Sequence, residues 1–149
     1  MGTAYPPGSG EPTRIIAGDM GGTWSEATAA AVLDGVRRIC LALPEVTERP
    51  SHGSPAWFVR DKTTIAMFVD DHHGDGHLGV WCAAPAGAQE TLVESEPDRF
   101  YRPPYVGHRG WIGVDLAVDP DWGEVAAILT EAYLQVAPAT LRKLVEAGE

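Results

Sequence analysis

The chain has little cysteine, little positive charge and no long apolar run, and each shortage excludes something. Cys40 and Cys82 are the two cysteines in 149 residues, and each sits in an apolar stretch. Such thiols are expected as reduced core residues, not as a disulfide scaffold. Lysine plus arginine total 11 against 21 acidic residues, for a net charge of −10. A field of that sign works against a polyanionic partner. No stretch approaches the roughly 20 apolar residues that a membrane span requires. The opening MGTAYPPGSGEPTRIIAGDMGG has no basic start followed by an apolar run, as a secretion signal would. Pro6 stands where a myristoylation motif needs Ser or Thr. The expected location is therefore cytoplasmic. A G-x-S-x-G elbow is also missing, and GDGHLG leads into a strand and not into the helix that a phosphate loop requires.

What is present reads as one domain behind a tail. Residues 1–23 are rich in glycine and proline and poor in large apolar groups, so they are expected to be a flexible tail. Residues 24–149 then suffice for a single core. A helix is predicted from Ser25, a good N-cap, to Leu43, with Pro44 ending it. AWFVRDKTTIAMFV (56–69) reads as a hairpin around RDK, LGVWCA (78–83) as a further strand, AQETLVES (88–95) as a short helix, and GWIGVDLAV (110–118) as another strand. DRFYRPPYVGHR is a loop or edge segment, because Pro103 and Pro104 cannot donate to a ladder. A long helix is expected with Asp119 as its cap and Pro120 in first position, followed by a short helix opened by Pro138. The predicted class is α+β, an antiparallel sheet flanked by an N-terminal helix and C-terminal helices.

The segments LALPEVTERPSHGSPAWFVRDKTTIAMF, PPYVGHRGWIGVDL and ILTEAYLQVAP together resemble the MmcQ/YjbR family. The points of likeness are Leu43-Pro44, Gly53-x-Pro55 leading into Trp57-Phe58, Lys62, Gly110-Trp111 and Tyr133, within residues 28–145. The resemblance implies the same antiparallel sheet with flanking helices. It also implies a nucleic-acid partner, since members often carry the label DNA-binding. Other members lie among genes for natural-product biosynthesis or resistance, which points instead to small molecules. It carries over no catalytic residue and no cofactor.

Three constellations could hold chemistry. DDHHGDGH (70–77) gathers three of the five histidines with three aspartates. Gly74 and Gly76 interrupt any helix that would bring His73 and His77 together, and Asp75-Gly76 is a turn signal, so the segment reads as a turn and not as a metal site. The second constellation is His52, Trp57, Lys62, His108, Arg109 and Trp111. If its two segments meet on one sheet face, they make an aromatic-walled groove with a few polar donors. The plainer alternative, which is preferred, has the tryptophans as core and the histidines closing loops. The third is a basic strip of Arg49, Arg60, Lys62, Arg99, Arg102 and Arg109 interleaved with aromatics, as single-strand binding needs, opposed by numerous neighbouring acids.

The leading expectation is thus a non-enzymatic binding domain. The family label favours DNA as partner, whereas the charge balance favours a small molecule or a protein. An interaction protein that dimerises through a sheet edge is a second reading. An enzyme using His52 or His108 as general base is a third.

Overall fold

The computed structural model describes residues 24–148, so the expected tail at 1–23 lies outside the described residues. Helix α1 (Glu26–Leu41) begins where the sequence places it: the Ser25 hydroxyl accepts the Thr28 N–H at 3.0 Å. Its stripe of Ala29, Val32, Val36 and Cys40 is buried. Six strands follow: β1 (Val46–Ser51), β2 (Ser54–Val59), β3 (Thr63–Asp70), β4 (Leu78–Cys82), β5 (Phe100–Tyr101) and β6 (Ile112–Asp115). Helix α2 (Ala88–Ser95) lies between β4 and β5, and α3 (Trp122–Val136) and α4 (Ala139–Ala147) close the chain. The strands form one antiparallel sheet in the order β1-β2-β3-β4-β6-β5. This is the α+β architecture that the sequence implies.

Cross-strand register sorts the side chains onto two faces. Glu48, Trp57, Ala66, Cys82 and Ile112 are aligned across β1, β2, β3, β4 and β6. Phe68, Val80, Val114 and Phe100 continue the same face. Helices α1 and α3 pack over it and against each other, which makes the main core. Tyr133, fully buried in α3, donates its hydroxyl to the Pro44 carbonyl at 2.8 Å and ties α3 to the end of α1. The other face carries Arg49, Ala56, Met67, Trp81, Gly113 and Tyr101 in one row, and no helix of the described residues lies across its centre.

Three local outcomes differ from the sequence expectation. Strand β1 is unpredicted, because VTERPS has two charges and a proline; its inward position is filled by Glu48, whose carboxylate takes two bonds from Arg37 at 2.8 Å and one from the Trp57 indole at 2.9 Å. The long helix is capped by Asp121, not Asp119: Asp121 accepts the Glu124 N–H at 3.1 Å. Trp122, packed against the bare Cα of Gly35, fixes that later start. The strand predicted at 110–118 pairs only over Ile112–Asp115. Among the described residues, no helix is long and apolar enough to cross a membrane.

Candidate functional site

The helix-free face of the sheet holds a cavity of about 720 Å³, lined by Ser51, His52, Thr64, Met67, His72, His73, Trp81, Tyr105, Val106, Arg109 and Trp111. Four segments build it. Met67 and Trp81, opposite one another on β3 and β4, give the floor. The His52-Gly53 turn closes the β1–β2 hairpin at one wall; its residues have φ 53° and 82°, the left-handed geometry that two-residue hairpins require. The β3–β4 loop supplies His72 and His73, and the connection from β5 to β6 supplies Tyr105, Val106, Arg109 and Trp111.

The walls are largely aromatic. The His72 ring stands edge-on to Trp81 with centroids 5.2 Å apart, and Tyr105 lies 6.4 Å from His72 and 6.3 Å from Trp81. Trp81 is 2% exposed, and its indole N–H donates to the Tyr101 hydroxyl at 2.8 Å. Tyr101 in turn stacks on His77 at 3.7 Å, nearly parallel, and His77 Nδ1 meets Asp115 Oδ1 at 2.7 Å. Burial pushes the Tyr101 hydroxyl up, and burial likewise holds the Asp115 carboxyl above the ordinary range, against the lowering effect of His77. Gly113 leaves the room for Tyr101, since a Cβ there would enter the Tyr101 ring. At the opposite rim, the Arg109 guanidinium lies 5.1 Å from the Trp111 ring centre.

Three lining residues, His52, His73 and Tyr105, hold φ of 53°, 54° and 66°, a region that residues with a Cβ visit rarely. Such strain persists where the surroundings enforce it, and it clusters at functional sites.

The fold divides the residues that the sequence groups together. Trp111, His52 and Arg109 line the cavity, but Trp57 does not: it is fully buried on the helix-covered face, bonded to Glu48. Trp57 is in register with Ala66, Cys82 and Ile112, whereas Trp111 precedes Ile112 and so faces the other way. A groove shared by the two indoles therefore does not form. Lys62 is exposed at the β2–β3 turn, and His108, also exposed, is not part of the lining. Trp81, His72 and His73 are the residues that the constellation lacked. The usable signal was the alternation in LGVWCA, which puts Trp81 opposite Cys82 in facing.

The acidic members of residues 70–77 all turn to other partners. Asp70 accepts from the Trp24 indole at 2.8 Å, Asp71 from the Gly76 N–H at 2.8 Å, and Asp75 from the His77 N–H at 3.0 Å. The segment is a turn, with a short 3-10 stretch at His72–Gly74. Among the described residues, no three of His, Cys, Asp and Glu are grouped to hold a metal.

The basic strip is also divided. Arg49 pairs with Asp61, Arg60 with Glu45, and Arg99 with Glu96 and Glu124, while Arg102 donates to the Gln89 amide oxygen at 3.0 Å. Both cysteines are free and buried, and burial pushes the Cys82 thiol up to about 12.

With this geometry in view, the comparison with known families is direct. The YjbR family model matches residues 41–135, more than half of the chain. The chain belongs to the YjbR family. That match runs from the end of α1 to the last turn of α3, so it takes in the whole sheet and every wall of the cavity. No curated protein and no solved structure matches the chain.

Proposed function

We propose that this YjbR domain is a binding protein that holds a small molecule in the cavity on the helix-free sheet face. The observation that carries the reading is the composition of that cavity: aromatic rings on a preformed floor, a few polar donors, and a volume of about 720 Å³, within the range of ordinary ligand sites. The left-handed backbone at Tyr105, a 67% exposed residue with little packing to enforce it, agrees with this reading.

A DNA partner, which the family label suggests, has less support. Arg49, Arg60 and Arg99 already face carboxylates, and binding phosphate would require exchanging those partners. The enzymatic reading rests on His52 and His108, of which only His52 lines the cavity, with no carboxylate bonded to either among the described residues.

The experiment is a calorimetric titration with 2-naphthol, a flat neutral probe, on the full chain and on Thr64→Tyr, which fills the cavity from β3. Binding to the parent and loss in the variant, with unchanged circular dichroism, is the expected outcome. Equal binding to both would place the probe elsewhere and end the reading.

A further inference from the structure

Resting on the reading of this cavity as a ligand site, we infer that its ligand is a flat aromatic anion of the carboxylate type. The ring lies against His72 and Tyr105, which cover Trp81, and the charge faces Arg109.

The first ground is charge. Acidic residues outnumber basic ones 21 to 11 in the chain, yet none of the eleven lining residues is Asp or Glu. The lining instead holds one arginine and three histidines. Chance does not account for this well, because the β3–β4 loop that supplies His72 and His73 is itself studded with aspartates. Asp70, Asp71 and Asp75 are held by Trp24 and by backbone N–H groups of the loop, while the two histidines line the cavity. Asp115, across the strand from Gly79, is engaged by His77.

The second ground is the state of Arg109. Among the described residues it makes no ion pair, in contrast to Arg37, Arg38, Arg49, Arg60 and Arg99. Its guanidinium lies over the Trp111 ring, which leaves its edge donors for a planar acceptor such as a carboxylate. The third ground is shape. His72 and Tyr105 pack on the buried Trp81 ring at 5.2 and 6.3 Å, and the exposed Tyr105 ring offers a flat ring an aromatic surface. Aromatic walls with one fixed cation and no opposing anion select a single negative charge attached to a ring. A polyphosphate chain would gain nothing from the rings.

The test compares naphthalene-2-carboxylate with naphthalene-2-carboxamide, which has the same ring and shape without the charge. Calorimetry at low salt on the full chain is expected to show the acid bound at least about tenfold more tightly than the amide. Arg109→Gln, at an exposed position, should erase that preference. Lys62→Gln, which removes an exposed cation outside the cavity, should preserve it. Equal binding of acid and amide, both lost in Thr64→Tyr, would overturn the anion and keep the site. Binding of neither would overturn both. A preference erased equally by Lys62→Gln would assign it to the general field and overturn the role of Arg109.

Discussion

Gln89 holds Trp111 by its backbone: the side-chain amide of Gln89 donates to the Trp111 carbonyl at 2.6 Å and to the Gly107 carbonyl at 2.8 Å. Its oxygen accepts from Arg102, so every polar atom of this buried side chain but one lone pair is engaged. Through these bonds α2 fixes the segment 107–111 that presents Arg109 and Trp111 to the cavity. The close fit of Gly107 against Arg102, where a Cβ would come within 2.7 Å of the arginine chain, completes the clamp.

Replacing Gln89 by Leu leaves the buried Trp111 carbonyl without its donor and the Gly107 carbonyl with the Gly110 N–H alone. The expected cost is about 2–3 kcal/mol in the urea unfolding free energy, together with faster amide exchange across residues 107–111. A variant as stable as the parent would show that the clamp contributes nothing.

Tyr105 is 67% exposed and has φ of 66°, so it adds little packing while holding a backbone shape that suits glycine. Tyr105→Gly is expected to leave stability unchanged or raise it by up to about 1 kcal/mol. The same change should weaken naphthalene-2-carboxylate binding measurably. Loss of stability without loss of binding would assign Tyr105 to the fold and not to the site.

Acid sensitivity should centre on Glu48. Hydrogen bonds from Arg37, with a further one from Trp57, hold its carboxyl below the ordinary value of 4.5. A carboxyl lowered in the folded state contributes stability that is fully present above that value and is lost as pH falls through it toward the folded value. Glu48→Gln should therefore be less stable than the parent at neutral pH, with the difference shrinking below 4.5. Urea midpoints at neutral and acidic pH measure it. A difference that grows on acidification would contradict the assignment.

Cys40 on α1 and Cys82 on β4 are both buried in the core, and burial raises both thiols. An aromatic disulfide reagent at about pH 8 should label neither in the native chain, because the thiolate is scarce and shielded. In denaturant it should label both of the two cysteines. Rapid native labelling of Cys82 would mean that β4 opens readily.

Much of the fold was legible because its signals are local. Ser25 announces α1, AQETLVES spans α2 as written, and the RDK turn joins β2 and β3 where the β-rich runs meet. Strand β1 was not legible, since the inward position of an edge strand is occupied by a carboxylate that only long-range partners make tolerable. The site was half legible. His52, Arg109 and Trp111 are brought together, but the facing of Trp57 depends on register with Ala66, and a shift of one residue in pairing reverses it. The β-bulge after Trp57, which leaves Ile65 without a partner on β2, is the kind of register feature that no residue pattern announces.

The central claim is that the ligand site is the face bearing Trp81 and Trp111, and not the face bearing Trp57. The five tryptophans, Trp24, Trp57, Trp81, Trp111 and Trp122, each give one indole N–H resonance, so titration with naphthalene-2-carboxylate followed by proton–nitrogen correlation spectra reads the claim directly. The expected result is a shift of the Trp81 and Trp111 signals while Trp57 and Trp122 stay in place. Shifts confined to Trp57 or Trp122, or none at a saturating concentration, would contradict it.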